Sequence, residues 1–415
     1  MYIQRDLEEK IRRYLSKPEI LAIVGARQCG KTTILKEIYK TKKNAVYIDF
    51  EDRDALELFN NDIKSFYKLY AKDADYLFID EFQYARAGGQ KLKFLYDTYK
   101  IKILISGSSV LDLTHQAASY LVGRIFIFYL YPFNFSEYLR YRNFKLFRNI
   151  YSEIKKKSHL YLCGKSKSFP VYNEPILKKL LEYYQEYAVF GGYPRVILSE
   201  TREEKITVLE NIYNTYFLRE IRDILQLGSE EELRKLIKAL ALQAGSLVSY
   251  KELGQLTSLN YSNLMKHISI LEKTFVIKKI PPYCTNKRIE IAKTPKIFFI
   301  DNGFMNTVTK NFQELKNRAD RGSLNENYAA GQLIKEGFDL HYWRTKSKAE
   351  VDFVFESEGK LKAIEIKPTL FSNQAGRSLL SFMGKYSPHR TIVASENYSS
   401  MDSQRDISFM PIFFL

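Results

Sequence analysis

The chain has 415 residues, too many for one ordinary hydrophobic core, and at roughly 100 to 200 residues per domain it divides into about two to four modules. Its 64 Lys and Arg against 48 Asp and Glu give a formal charge of +16, which points either to a polyanionic partner, nucleic acid before membrane, or to a basic solvated surface. Cys29, Cys163 and Cys284 are too widely spaced for a disulfide framework or a zinc knuckle. Residues 1–14 are charged, and the longest apolar run, Ile125 to Leu130 with Tyr131 to Phe135 behind it, is too short to span a bilayer, so a cytoplasmic protein with no membrane association is expected.

Ile3, Leu7, Ile11 and Leu15 repeat at helical spacing and predict a leading amphipathic helix. Short apolar runs then alternate with helical patterns: Ile20 to Val24, Ala45 to Phe50, Tyr76 to Ile79 and Ile101 to Ser106. Runs apolar throughout and separated by helices read as parallel strands buried on both faces, a doubly wound α/β fold. Between the first strand and its helix stands Gly25-Ala26-Arg27-Gln28-Cys29-Gly30-Lys31-Thr32, followed by Thr33, a complete phosphate-binding loop. Its glycines let backbone amides wrap a β-phosphate, Lys31 reaches the β- and γ-phosphates, and Thr32 coordinates magnesium, so ATP and Mg2+ are the cofactors expected. Asp80 and Glu81 end a later strand, Asp80 to hold the magnesium shell and Glu81 to polarise the attacking water. Ser106, with Gly107, Ser108 and Ser109, ends the next strand, either as a γ-phosphate sensor or as a plain polar turn.

After Pro132 the pattern becomes helical, rich in Tyr, Lys and Arg, with a tight turn at the Phe190 to Ile197 stretch FGGYPRVI. Leu247 to Tyr283 reads differently: a short helix from Ser249, a turn at Thr257 to Asn260, a helix from Tyr261 to Leu271 and a strand from Phe275 to Ile280. This is a helix-turn-helix followed by a wing. Leu264, Ile268 and Leu271 face inward, leaving Ser262, Asn263, Lys266 and His267 as candidate DNA contacts, while Lys278, Lys279, Lys287 and Arg288 are placed to neutralise phosphates. Glu252 and Glu272 border the motif, so a protein-binding winged helix is the competing reading.

Strands return at Ile297 to Ile300, Leu340 to Arg344, Val351 to Phe355, Leu361 to Ile366, Thr391 to Ala394 and Ile407 to Phe414, flanked by helices around Ser323 to Glu336 and Gly376 to Tyr386. Asp352, and Glu365 with Lys367, fall on consecutive strands and Glu326 on the upstream helix, the PD-(D/E)xK nuclease arrangement in αβββαβ order. Alternation puts Glu365 and Lys367 on one face, and a hairpin brings Asp352 opposite them. Asp352, Glu365 and Glu326 are candidate magnesium ligands and Lys367 the water-orienting lysine, in an active nuclease or in a relic used for docking.

The phrases GARQCGKTT at Gly25, VYIDFED at Val46, DEFQ at Asp80, ISGSS at Ile105, VGRIFIFYLYPFNFSEYL at Val122, GGYPR at Gly191 and IFFIDNG at Ile297 recur in order along nearly the whole chain. In them the chain resembles a large family of prokaryotic AAA-type (AAA+) ATPases. The resemblance implies an AAA+ core over 1–135, a helical lid over 136–230, a winged helix over 231–290 and a PD-(D/E)xK restriction-endonuclease-like domain over 291–415. It also places Arg124 as an arginine finger and Arg195 as a lid sensor, each with a structural salt-bridge alternative. The expected function is ATP hydrolysis coupled to DNA binding. A nucleotide-gated scaffold for a protein partner and an ATP-regulated endonuclease are the alternatives, and a homo-oligomer is required if Arg124 acts between chains.

Overall fold

A computed structural model describes residues 2–107, 120–166, 174–225, 230–285 and 293–415. Ser108, Ser109, Lys287 and Arg288 lie outside the described residues. The chain divides into two compact units, residues 1–132 with 273–275, and residues 133–272 with 276–415.

In the first unit, helix α1 (Asp6–Arg13) precedes β1 (Ile20–Gly25), α2 (Lys31–Tyr39), β2 (Ala45–Asp49), α3 (Arg53–Asn61), β3 (Tyr76–Asp80), α4 (Gly88–Tyr99), β4 (Lys102–Gly107) and β5 (Ile125–Leu130). Among the described residues these five strands form one parallel sheet in the order β2-β3-β4-β1-β5. Strand alternation sorts the apolar runs onto two faces. Ala22, Val24, Leu77, Ile79, Ile103 and Ile105 pack against Phe59, Leu92 and Leu95, while Leu21, Ile23, Phe78 and Leu104 pack against Ile11, Ile34, Leu35 and Ile38. Burial on both sides explains why the strands read as uninterrupted apolar runs. The apolar run Ile125 to Leu130, absent from the predicted strands, is the edge strand of the sheet, partly exposed along most of its length.

Insertion of β4 between β1 and β3 reverses the strand order beside the phosphate loop, the place where open α/β sheets bind ligands. The carboxyl ends of β1, β3 and β4 therefore lie side by side, bringing residues 25, 80 and 106 together from remote parts of the sequence.

The second unit begins with helices that include α5 (Glu174–Phe190) and α6 (Pro194–Leu198). Next come α7 (Glu231–Leu242), α8 (Tyr250–Thr257), α9 (Tyr261–Lys273) and the antiparallel pair β6 (Ile277–Ile280) and β7 (Lys296–Phe299). The turn between α8 and α9 is built locally. Ser258 adopts a left-handed φ of 61°, and the Asn260 side chain accepts the Asn263 N–H at 2.9 Å.

Helices α10 (Asn302–Thr309) and α11 (Arg321–Glu336) lead into β8 (His341–Arg344), β9 (Glu350–Ser357), β10 (Lys360–Ile366), α12 (Arg377–Tyr386), β11 (Arg390–Ser395), β12 (Ser400–Asp402) and β13 (Ile407–Pro411). Among the described residues these strands make a six-stranded mixed sheet, ordered β12-β13-β11-β10-β9-β8. The hairpin β9–β10 is antiparallel and β10–β11 parallel, with α12 as the crossover.

Candidate nucleotide site and a buried carboxylate cluster

The loop after β1 is shaped by close approach. A Cβ on Gly25 would lie 1.9 Å from the Leu130 carbonyl oxygen, and Gly30 stands at φ +97° immediately before α2. Both positions demand glycine. Lys31 is buried, its Nζ donating to the carbonyls of Gly25 (3.1 Å) and Ala26 (2.9 Å) across its own loop. Thr32 is half-buried and Thr33 exposed on the first turn of α2, where unsatisfied amides and the helix dipole favour an anion. Cys29 is fully buried, its thiol donating to the Ala26 carbonyl at 2.8 Å, and burial pushes that thiol up. It is a packing residue of the loop.

Arg5 is a site residue that no sequence motif marks. This buried guanidinium donates to the Cys29 carbonyl at 2.8 Å and the Tyr131 carbonyl at 2.7 Å, tying the rear of the loop to the end of β5.

Asp80 is buried at the end of β3 and accepts three hydrogen bonds: from the Ser106 hydroxyl, from the Tyr47 hydroxyl at 2.6 Å and from the Glu81 N–H at 3.1 Å. Burial first, then the hydrogen bond to Asp80, holds the Tyr47 hydroxyl well above its ordinary pKa. Ser106, on the strand between β1 and β3, thus addresses the Asp80 carboxylate. Glu81 adopts a left-handed conformation at φ 50°, ψ 42°, a strain of roughly 1–2 kcal/mol for a residue with a Cβ, and its carboxylate accepts a hydrogen bond from the Gln83 amide.

Arg124 stands at the opposite end of the sheet. Its carbonyl accepts the N–H of Ile20, the first residue of β1, whereas the phosphate loop follows the last; its Nε pairs with Asp97 at 2.9 Å. Six strand residues at about 3.3 Å each separate the two ends, so Arg124 does not act as an arginine finger on its own chain's loop. Arg195, on α6 in the second unit, is exposed.

On α9, Ser262, Asn263 and Lys266 are exposed as expected, but His267 is buried. It follows Leu264 by three positions and so shares the inward face, with Nδ1 at 2.6 Å from the Asn263 carbonyl. Lys278 and Lys279 flank Glu272 at 3.8 and 3.1 Å.

In the C-terminal sheet Glu326, Asp352, Glu365 and Lys367 do come together, with two further charged residues that the sequence reading left out, Lys296 and Glu350. Asp352 accepts the Ile366 N–H at 2.7 Å, and Lys367 pairs with Glu365 at 2.6 Å. Lys296 is buried and paired with Glu350, which also pairs with Arg344 at 2.8 Å. Burial, then the charge of Asp352, pushes Glu326 up to about 8; burial raises Asp352 to about 6 despite its backbone hydrogen bond. Among the described residues no three His, Cys, Asp or Glu side chains are grouped so as to hold a metal ion.

A raised carboxyl pKa means that the folded chain keeps a proton which the unfolded chain releases. Stability is therefore favoured at acid pH and falls as pH climbs from about 4.5 toward 8. Glu326→Gln should flatten that fall, by on the order of a few kcal/mol between pH 5 and 8. Urea midpoints across that range check it, and equal pH dependence in both proteins would remove Glu326 as the cause.

Residues 17–139 match the AAA domain family. Residues 181–315 and 321–415 match two families described as domains of unknown function, DUF8612 and DUF4143. An uncharacterized protein of Methanocaldococcus jannaschii is 29% identical over 378 residues, covering 85% of this chain and 76% of the relative. One of Haemophilus influenzae is 23% identical over 366 residues, covering 84% and 82%. Of solved structures, the Walker-type ATPase PABY2304 of Pyrococcus abyssi aligns at 17% identity with a TM-score of 0.42, covering 74% of this chain and 96% of that one. With a complete phosphate loop, a strand-end Asp-Glu pair and a β2-β3-β4-β1-β5 sheet, the stretch from 17 to 139 is an AAA-type P-loop domain.

Proposed function

We propose that the chain hydrolyses ATP in its first unit and binds DNA through its second. The observation that carries the first half is the convergence at three adjacent strand ends: the loop from Gly25 to Thr32, Asp80 fixed by Ser106 and Tyr47, and Glu81 beside it. These residues suit a nucleotide with its magnesium ion. Loop amides and Lys31 bind phosphate oxygens, while Thr32 and Asp80 supply hard oxygen ligands and outer-shell acceptors. A magnesium ion held there would neutralise phosphate charge. Glu81 positions and polarises the attacking water, and Ser106 and Tyr47 hold Asp80 in place so that no reorganisation is needed at the moment of reaction. Arg124, at the far edge of the sheet, meets a γ-phosphate only on a neighbouring copy, so a homo-oligomer belongs to this reading. Arg195 is the lid arginine of the same scheme.

The DNA half is supported by the exposed edge Ser262, Asn263 and Lys266 at the start of α9, by the β6–β7 hairpin behind it, which suits a winged helix, and by the net charge of +16. The αβββαβ order of residues 321–395 supports a nuclease-like fold for the C-terminal sheet. One observation favours a protein partner instead: Glu272 partly neutralises both Lys278 and Lys279. A salt series separates the two readings. For DNA, the logarithm of affinity should fall with the logarithm of salt concentration at a slope of roughly −3, the release of counterions from three or four phosphates. Absence of binding to duplex or branched DNA at low salt leaves the protein-partner reading. Among the described residues no helix is long and apolar enough to cross a membrane.

A further inference from the structure

The carboxylate cluster of the C-terminal sheet contains a cation supplied by the chain itself. Lys296, the first residue of β7, is only 2% exposed, yet it belongs to the strand that completes the hairpin behind α9. Its ammonium pairs with Glu350 and lies 5.7 Å from the centre of the Tyr342 ring. The strand is tied on both sides. Gly245, in the turn after α7, donates its N–H to the Ile297 carbonyl at 3.0 Å, Leu247 bridges to Lys296, and the Tyr342 hydroxyl donates to the Thr294 carbonyl at 2.5 Å. The backbone that carries Lys296 is therefore held both by the turn after α7 and by β8. The same turn closes the cluster, since a Cβ on Gly245 would stand 3.1 Å from Glu326 Oε2.

These placements suit an ammonium ion better than a divalent metal. Magnesium demands near-octahedral oxygens at about 2.0–2.1 Å. Here one Asp352 oxygen is taken by the Ile366 N–H and one Glu365 oxygen by Lys367, and among the described residues no three potential ligand side chains are grouped around a common point. Buried carboxylates cost several kcal/mol each unless neutralised, and lysine does the neutralising at two places in this cluster. Glu365 Oε2 is buried without a hydrogen-bond partner, the oxygen a metal would take if the ammonium were withdrawn.

We infer that Lys296, assisted by Lys367, is the resident cation of this cluster, standing where a nuclease-like fold would hold a divalent metal, and that β7 keeps the cluster closed to metal ions. The inference rests on the nuclease-like reading of this sheet. DNA binding is measured separately in the salt series, so the two fail independently.

The test is manganese uptake by the full-length, nucleotide-free chain, followed by the free-ion electron paramagnetic resonance signal, with Asp352→Asn reporting on this cluster alone. The unaltered chain and its Asp352→Asn variant should take up equal manganese. Lys296→Met combined with Glu350→Gln, which removes the lysine together with its paired carboxylate and leaves Glu326, Asp352 and Glu365 to be neutralised from solution, should gain one site, at least tenfold tighter than any in the unaltered chain and abolished by adding Asp352→Asn. Either an Asp352-dependent site in the unaltered chain or no gained site in the folded variant overturns the inference. Should the double variant lose its fold by circular dichroism, Lys296→Gln, which keeps a neutral donor, is read by the same two criteria.

Discussion

Glu81→Gln should retain ATP while lowering turnover at least about a hundredfold, the usual contribution of a positioned proton acceptor. Gln keeps the length and one oxygen of the glutamate, so the left-handed turn and the contact with Gln83 survive; what is lost is the negative charge that polarises water. Lys31→Ala should behave in the opposite sense. It removes the cation that lies across the Gly25 and Ala26 carbonyls, and nucleotide affinity should drop at least tenfold before any chemistry is reached. Fluorescent-nucleotide titration and phosphate release, run on both variants, separate binding from hydrolysis. Wild-type turnover in Glu81→Gln would show that another group activates the water.

The parts of the site that the sequence revealed are those set by local pattern. The phosphate loop needs glycines at fixed offsets, and the strands were visible because burial on both faces leaves no polar interruption. What escaped depends on strand order. Tyr47 lies 33 residues before Asp80, and only the pairing of β2 with β3 brings its hydroxyl to that carboxylate. Arg5 is more remote still from Tyr131, 126 residues away. Lys296 escaped for a related reason: a lysine at a strand start reads as solvated, and its burial becomes evident only when the Glu350 and Tyr342 side chains are set against it. His267 was misjudged because the inward face of α9 is wider than the i, i+4, i+7 stripe used to find it. Arg124 was placed by resemblance alone, which carries no information about which end of the sheet a residue occupies.

The GGYPR and IFFIDNG phrases, over a hundred residues apart, prove to be two halves of one interlock, and substitutions there should cost stability before they touch catalysis. Asp301 caps α10 through the Phe304 N–H at 3.0 Å and accepts the Gly192 N–H at 2.7 Å. Its carboxylate fills the space in which a side chain on Gly191 would begin, since a Cβ there would lie 2.1 Å from Oδ1. Gly191 also stands at φ +72°, and a Cβ on Gly303 would meet the Phe190 carbonyl at 2.0 Å. Asn306 closes the joint by donating to the Val189 carbonyl at 2.7 Å. Gly191→Ala adds left-handed strain of about 1–2 kcal/mol and displaces a buried, doubly bonded carboxylate, for a total loss of roughly 3 kcal/mol or more. Asp301→Asn should lose about 1–3 kcal/mol, because one of the two buried N–H groups then faces an amide nitrogen. The two losses should be less than additive in the double variant, since both break the same contact. Denaturant unfolding of the three proteins measures this, with nucleotide affinity in the first unit as the control. If instead Gly191→Ala unfolds like the unaltered chain and only its ATP turnover falls, the glycine pair serves Arg195 and the nucleotide rather than the joint with α10.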